Sequence, residues 1–293
     1  MIRRYRDSGF ALVIVLLVIV ISGTVLASCA RYSCQKAIEA SKAQRELQIR
    51  WGSLSCKEVI LNSAEAVLQE SIDGEVPALV ERSNRYLSLS FGGLAYHLLL
   101  SDEQAKMNVN TTLRYRGAQG VAESLVALQQ DMPLHLLQRG SNKETGQEDS
   151  ETTSYSFFDD LLVYDHPTQL VSLVDPTQRI SSKITFWTDG QINFRRASIQ
   201  VLQEAVKGLV DDSLLGELLQ IRESLPDCTL GEALSQMEMK SSQRNQLLRY
   251  ITDQSNCYSL WVVVDEKTRL WHRLYVSSPR GFVGDQMMRS YAW

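Results

Sequence analysis

Histidines are the side chains best suited to acid–base or metal chemistry, and their spacing in this chain supports neither. The four histidines are scattered, with no two at metal-ligand spacing: His97, His135, His166 and His272. The sequence also has no HExxH, GxSxG or Walker motif and no GxGxxG after a strand. It therefore lacks the usual signatures of metalloproteases, serine hydrolases and nucleotide-binding enzymes. We predict that the protein is not an enzyme.

The five cysteines do not predict a metal site either. None has CxxC spacing, and their odd number prevents complete internal pairing. Cys29, Cys34 and Cys56 lie in the N-terminal part of the chain. Cys228 and Cys257 lie in the C-terminal half, where an oxidising compartment would allow a disulfide. The sequence leaves that pairing open, because a disulfide needs Cα atoms roughly 4.4–6.8 Å apart.

The balance of charges argues against nucleic acid as the main partner. The 30 lysines and arginines against 34 acidic residues give a net charge of −4, whereas proteins that bind phosphate backbones are usually basic. The 293 residues are 44% hydrophobic and 22% charged. This is the composition of a globular protein with one large domain or two small ones.

An uncharged apolar segment, residues 10–30 (FALVIVLLVIVISGTVLASCA), dominates the start of the chain. As a helix, these 21 residues would be about 31 Å long, close to the hydrocarbon thickness of a bilayer. Arg3, Arg4 and Arg6 precede the segment, and basic flanks stay in the cytoplasm. We therefore predict a single-pass inner (plasma) membrane protein with a cytoplasmic N-terminus and an extracytoplasmic, periplasmic C-terminal domain.

Three interpretations of this segment are open. A plain signal anchor needs only the apolar run and the arginines. A lipoprotein signal would use Leu26-Ala27-Ser28-Cys29 and place lipid on Cys29, but the 19 apolar-segment residues before that cysteine exceed the roughly 7–15 of a cleaved signal. The third interpretation is a short leader that a peptidase removes between Gly9 and Phe10.

The third interpretation is based on a family resemblance. The basic leader, Gly9-Phe10 and the unbroken apolar helix resemble the class III signal of type IV pilins and type II secretion pseudopilins. The resemblance implies cleavage by prepilin peptidase after Gly9 and N-methylation of Phe10. Such chains usually have Glu at the fifth mature position, where it pairs with a neighbouring subunit's N-terminal amine. This chain has Ile14 there, and an apolar residue at that position is characteristic of the minor component K.

Beyond residue 30 the pattern predicts an α+β fold. Apolar residues at helical spacing from 31 to about 70 predict that the membrane helix continues as one amphipathic rod. Residues 86–100 alternate around Gly92-Gly93, and residues 258–276 alternate around 265–268, so both stretches predict antiparallel strands. The sequence between them indicates helices over the segments 121–138, 157–174, 197–224 and 230–252, with a polar loop at 138–154. There is no repeat of fixed period.

Two short phrases sharpen the resemblance: residues 102–110 (DEQAKMNVN) and 188–197 (TDGQINFRRA). In each, Asp and Asn can satisfy turn backbone, the apolar residue between them can pack inward, and a polar residue can start a helix. They resemble the two D-x-x-G-x-[IFL]-N-[LV]-N phrases of general secretion pathway protein K, each of which leads into a sterile-alpha-motif-like helical unit. Ala105 replaces the first glycine and Phe194-Arg195 replaces the second apolar-Asn pair, so the chain resembles a divergent member.

The resemblance implies a pilin-like α+β fold in which the long N-terminal helix packs on an antiparallel sheet, with an all-helical insert. The implied segments are a leader at 1–9, a transmembrane helix at 10–30, a pilin-like α/β domain at 31–110 and 241–293, and the insert at 111–240. It also implies a minor pseudopilin at the tip of a type II secretion pseudopilus or related pilus-like machine. The implied partners are other minor pseudopilins, the inner-membrane secretion platform and prepilin peptidase.

The same resemblance suggests calcium, which pseudopilins of this kind often bind through carboxylates and backbone oxygens. No loop in the chain has EF-hand spacing, and calcium needs six to eight oxygen ligands. The candidate donors are Asp102, Glu103, Asp189 and Asp265.

Two alternatives to a pseudopilin remain. The first is a lipoprotein with lipid on Cys29, or a signal-anchored structural envelope protein. The second is an exported DNA-binding protein, because residues 192–206 (INFRRASIQVLQEAV) resemble a helix-hairpin-helix. Asp211 and Asp212 then lie in the turn where phosphate would approach, and two carboxylates there would repel DNA.

Overall fold

The computed structural model describes residues 6–69, 83–128, 135–136, 154–163, 179–225, 227–266, 269–277 and 288–292. Residues 1–5 of the predicted leader lie outside these ranges. Residues 138–153 of the predicted polar loop also lie outside them. The chain divides into two compact units, Met1–Gly52 and Ser53–Trp293. The architecture is α+β, with a long N-terminal apolar helix and an antiparallel sheet, as predicted.

The N-terminal helix α1 (Arg6–Asn62) is unbroken. The prediction that the membrane helix continues as one rod is confirmed as far as Asn62, rather than to about residue 70, and Gly23 and Gly52 both lie within the regular helix. Residues 53–62 belong to the second unit. There Ser53, Cys56 and Ile60 are buried at helical spacing, and a short helix α2 (Ala64–Gln69) follows.

The strands of the main sheet are β1 (Asn84–Phe91), β2 (Leu94–Asp102), β9 (Tyr258–Glu266), β10 (Arg269–Ser277) and β11 (Met288–Ala292). In the described residues they lie in the order β1-β2-β9-β10-β11, and every neighbouring pair is antiparallel. Gly92 and Gly93 join β1 to β2 with φ of 62° and 74°. Positive φ at both positions is what a two-residue type I′ hairpin requires, and glycine adopts it without strain.

Both faces of the sheet are covered at its central strands β2, β9 and β10. Tyr96 and Tyr275 lie on the face that meets the end of α1, where the Lys57 ammonium lies 5.8 Å from the Tyr275 ring centroid. Leu99 and Trp261 point to the opposite face and join a second core together with Phe194 and other residues of the insert. Alternation along the strands therefore supplies both cores.

The insert is the chain between β2 and β9, which are neighbours in the sheet although residues 103–257 separate them. Its helices are α3 (Val109–Leu128), α4 (Ile199–Val206), α5 (Asp212–Ser224), α6 (Leu230–Gln236) and α7 (Ser241–Tyr250). It is mainly helical but also contains two-residue strands, paired β3 (Met107–Asn108) with β6 (Ile184–Thr185), β4 (His135–Leu136) with β5 (Leu162–Val163), and β7 (Ile192–Asn193) with β8 (Ile251–Thr252). The prediction that it is all-helical is to that extent modified.

The helix predicted over 157–174 is wrong for its described part. Residues 158–160 form a 3-10 turn, and β5 follows directly. The Asp160 carboxylate accepts hydrogen bonds from the N–H groups of Ser156 and Phe157, both at 2.9 Å, which fixes the turn. Phe158 is buried edge-on against Phe186. Aromatic packing with a distant residue therefore overrides the local helical pattern.

Candidate functional site

The apolar segment of α1 is the first functional feature. Among the described residues, one helix is long and apolar enough to cross a membrane, within Phe10–Asn62. Every side chain from 10 to 30 is exposed. So large a continuous apolar surface is stable only where lipid or other helices cover it. Phe10 and Ile14 lie in this exposed stretch, and Gly9 lies in the same helix just before it.

Cys29 lies within α1 and is exposed, as is Cys34. The other cysteines, Cys56, Cys228 and Cys257, are buried, and none of the five is in a disulfide. Burial raises the pKa of the Cys257 thiol well above its ordinary value, and the carboxylates of Glu103 and Asp102 raise it further. A thiol held protonated in this way is a poor nucleophile and a poor metal ligand.

The two Asp/Asn phrases form the second feature, and each folds as a turn that starts a new element. The carboxylates of Asp102 and Asp189 accept hydrogen bonds from the N–H groups of Gln104 (2.9 Å) and Gln191 (3.1 Å). The apolar residues Met107 and Ile192 that precede the asparagines are buried. The predicted turns and buried apolar residues are confirmed in both phrases, but the helix after the second phrase begins at Ile199 and is capped by Ser198, just outside the phrase.

The asparagines of the two phrases make the same pair of contacts. Asn108 Oδ1 accepts from the Thr111 N–H at 2.9 Å, and its Nδ2 donates to the carbonyl and hydroxyl oxygens of Thr188, both at 2.9 Å. Asn193 Oδ1 accepts from the Arg195 N–H at 2.9 Å, and its Nδ2 donates to the Ser255 hydroxyl at 2.7 Å. Each asparagine therefore caps its own turn and ties it to a distant hydroxyl residue.

The equivalence extends to the strands. Each apolar-Asn strand pairs in parallel with an Ile-Thr strand, β3 with β6 and β7 with β8. Thr188 and Ser255 stand three residues after the threonines of β6 and β8. The asparagines are 85 residues apart but the Ile-Thr strands only 67 apart, so the duplication has no fixed period in the sequence. The two phrases and the short strands that pair with them therefore share one arrangement.

A partly buried polar cluster, which we call the junction cluster, joins the insert to the sheet and to α2. Its members are Glu65, Asp102, Asn193, Arg196, Ser255 and Tyr258. The Arg196 guanidinium binds both carboxylate oxygens of Glu65, at 2.8 and 2.9 Å, and its Nη1 also lies 3.3 Å from Asp102 Oδ2. Ser255 Oγ donates to the same Asp102 oxygen at 2.5 Å. The Tyr258 hydroxyl lies 2.5 Å from Glu65 Oε2.

The two carboxylates of the junction cluster have opposite environments. The Asp102 side chain is 0% exposed and that of Glu65 is 48% exposed. Burial raises the pKa of Asp102 above its ordinary value near 3.8, and the bonds from Ser255 and Arg196 only partly offset it. Burial also acts on Glu65, but the bonds from Arg196, Tyr258 and Gln69 outweigh it and hold the pKa of Glu65 below its ordinary value near 4.5. Burial lowers the pKa of Arg196, but Glu65 and Asp102 outweigh it and hold that pKa above its ordinary value.

A second buried ion pair lies beside the junction cluster. Lys106 Nζ and Ser259 Oγ both donate to Glu103 Oε1 at 2.5 Å, and all three residues are buried. The two consecutive acidic residues at the end of β2, Asp102 and Glu103, are thus each neutralised by a basic side chain of the protein. Arg196 and Lys106 were not singled out from the sequence, and their only signal is that each lies within a phrase, close to its asparagine.

These contacts bear on the predicted calcium donors. Asp102, Glu103 and Asp189 bind donors of the protein itself, and in the part of the chain that the structure describes no three His, Cys, Asp or Glu side chains are grouped to hold a metal ion. Calcium needs six to eight oxygens, and the calcium site at these residues stays a prediction. Asp265 lies in β9, and its side chain is outside the described part.

The chain was compared with known proteins. No family model matches it. No curated protein matches it either. Among solved structures it is similar to a chain of "The Crystal Structure of the GspK-GspI-GspJ complex from enterotoxigenic Escherichia coli Type 2 Secretion System", with 18% identity and a TM-score of 0.44 over 87% of this chain and 99% of that chain.

The junction cluster predicts a large loss of stability for Arg196→Met. The substitution leaves the Asp102 carboxylate buried without a cation, which should lower the free energy of unfolding by about 3 kcal/mol. Urea unfolding of the full chain in detergent, followed by tryptophan fluorescence, measures the loss. Arg114→Met, at an exposed position of α3, is the matched control and should stay within about 0.5 kcal/mol of wild type. Equal effects of the two substitutions would contradict the assignment.

The two carboxylates of the junction cluster predict opposite pH dependences. Because the pKa of Asp102 is raised by folding, its contribution is full below pH 3.8 and is lost as pH rises through the folded-state pKa. Because the pKa of Glu65 is lowered, its contribution is present above pH 4.5 and is lost as pH falls through the folded-state pKa. Relative to wild type, Asp102→Asn should gain stability with rising pH and Glu65→Gln should lose it. Urea unfolding at a series of pH values tests this, and slopes of the same sign would refute it.

Proposed function

We propose that the protein is a non-enzymatic minor pseudopilin of a type II secretion machine, or of a related pilus-like machine. The observation that carries the proposal is the exposed apolar stretch of α1, residues 10–30, which starts immediately after Gly9. The helix that contains this stretch continues to Asn62. A soluble protein would have to hide such a surface. In a pseudopilus the surface is covered first by the membrane and then by neighbouring helices.

The second unit supports the same proposal. Its antiparallel sheet receives the end of the helix on one face, and a large insert enters between the adjacent strands β2 and β9. The resemblance of the two phrases to general secretion pathway protein K places helical units at this same point of the chain. We propose other minor pseudopilins as the lateral partners, and prepilin peptidase and the inner-membrane platform as the proteins that process and assemble the chain.

We propose a position at the tip of the filament, and Ile14 is the residue behind this proposal. A subunit with glutamate at this position needs a neighbour's amine ahead of it, because a carboxylate in the bilayer is costly unless it is paired. A subunit with isoleucine has no such need. The insert, at the extracytoplasmic end, would also obstruct stacking of another subunit above it.

The lipoprotein alternative is less well supported. A lipid-anchored mature chain would begin at Cys29, yet that residue lies within the uninterrupted helix α1, with apolar helix on its N-terminal side. Discarding residues 1–28 would remove most of the surface that predicts lateral assembly. The DNA-binding alternative is opposed by Asp211, which caps α5. The hydroxyl and N–H of Ser213 lower the pKa of Asp211, so its carboxylate is charged and would repel a phosphate.

Processing tests the proposal directly. The protein is isolated from the membranes of the cells that make it, and its intact mass and N-terminal sequence are measured. We expect a mature start at Phe10 with one added methyl group, since the peptidase cleaves after Gly9. A lipid-modified start at Cys29 would establish the lipoprotein, and an intact Met1 would leave a plain anchor; either result would overturn the proposal.

Ile14→Glu tests the tip position. The substitution adds a carboxylate at the membrane level, which costs about 3 kcal/mol unless a partner amine reaches it. We expect the variant to insert and be cleaved normally but to be recovered with other pseudopilin subunits in several-fold lower yield. Ile14→Leu, which keeps the site apolar, is the control and should match wild type. Unimpaired assembly of Ile14→Glu would argue against the tip position.

A further inference from the structure

The first strand of the sheet leaves an open edge. β1 is the terminal strand in the sheet order, and β2 is its one neighbour in the described residues. All its residues from Ser88 to Phe91 are exposed, as is Tyr86. Within the described residues no strand pairs with the outer side of β1, so the backbone donors and acceptors on that side have no ladder partner there.

The hairpin geometry identifies the outward groups. In a two-residue hairpin the residues beside the turn form a hydrogen-bonded pair, here Phe91 with Leu94, and hydrogen-bonded and non-bonded pairs then alternate. Tyr86, Ser88 and Ser90 fall in the non-bonded pairs. Their N–H and C=O groups therefore point away from β2, toward the open side.

This edge lacks the features by which proteins usually protect an edge strand. Its eight residues, NRYLSLSF, include no proline and no lysine, and the one charge is Arg85. The register with β2 is continuous over the whole strand, so no bulge twists the edge away. An open, regular and nearly uncharged edge is suited to pairing with another strand.

We propose that β1 is an interaction surface that receives an extended strand of a neighbouring subunit in the same assembly. The backbone chemistry of the edge specifies a strand as its ligand, because alternating N–H and C=O groups are satisfied in series only by extended backbone. This inference depends on the proposed function for the identity of the partner, which is another pseudopilin.

The size of the edge also identifies the partner. At about 3.4 Å per residue, β1 is about 27 Å long. One added strand of that length, about 5 Å wide, supplies only part of the roughly 800 Å² per partner in a stable interface. The occupant must therefore be held nearby by a second contact, which raises its effective concentration. A subunit anchored in the same membrane by its own helix meets that condition. A second copy of this chain does not, because a subunit alone at the tip has no second copy beside it.

The side chains of β1 indicate the character of the incoming strand. Leu89 and Phe91 are 41% and 40% exposed on the same face, where the Phe91 ring stacks on Tyr96 at a centroid distance of 4.2 Å. On the other face Ser88 and Ser90 are small and polar. Cross-strand pairs of matching type are favoured, so the incoming strand should alternate apolar and polar residues.

Ser88→Pro tests the proposal. Proline removes the outward N–H but no bond of the β1–β2 ladder, and edge strands tolerate it at such positions. We expect the full-length variant to be produced and cleaved normally, while recovery of other methylated pseudopilin subunits from detergent-solubilised membranes falls about tenfold. Ser88→Ala keeps the N–H but, like the proline variant, loses the 3.4 Å contact of Ser88 Oγ with His97 Nδ1, so it is the matched control, with recovery near that of wild type. Ser90→Lys, which adds an edge charge without removing an N–H, is a second variant should Ser88→Pro fail to fold.

Hydrogen exchange supplies a second measurement. In the isolated protein the amides of Tyr86, Ser88 and Ser90 should exchange rapidly, and in the complex they should be protected. Recovery that is unchanged in both variants, or protection that appears in the isolated chain as its concentration rises, would overturn the proposal. If the mature chain begins at methylated Phe10 and recovery is unchanged, this inference fails while the proposed function stands. If wild type itself recovers no pseudopilin, both fail.

Discussion

The buried carboxylate of Asp102 is the constraint on which the second unit depends. A charge at 0% exposure is stable only with hydrogen-bond donors and a cation nearby. The donors come from Gln104, Ser255 and Asn193 and the cation from Arg196. Gln104 lies in the turn that follows β2, Ser255 lies in the turn before β9, and Asn193 and Arg196 lie in the second phrase. Satisfying one carboxylate therefore brings three distant parts of the chain together.

Arg196 extends this linkage to the helical layer. Its second partner, Glu65, lies in α2, which directly follows the long helix. The guanidinium thus lies between a buried carboxylate of the sheet and a half-exposed carboxylate of the helix. Its planar fork suits this position, because it binds Glu65 through two nitrogens while one of them also faces Asp102. A lysine could not hold all three oxygens in that geometry.

The fold was predictable where the signal is local. Gly92-Gly93 between alternating residues is sufficient for the hairpin, and an uncharged run of 21 residues is sufficient for the helix. The phrases were predictable as turns because Asp and Asn act on their own backbone. The two-residue strands of the insert could not be predicted, because two residues are too few to show a periodic pattern. Nor could the Glu65–Arg196 pair, since the partners are 131 residues apart in sequence and only the tertiary fold brings them together.

Charged groups at the junction favour specificity over stability. An apolar cluster of the same volume would avoid the cost of desolvating Asp102, and it would often be as stable or more so. It would also tolerate several arrangements, because apolar contacts have no direction. The hydrogen bonds of Arg196, Asn193 and Ser255 require particular distances and angles, so they are satisfied in one orientation of the insert relative to the sheet. A surface of the insert that meets a partner would need that single orientation, and a buried ion pair with full hydrogen bonding is one way to secure it.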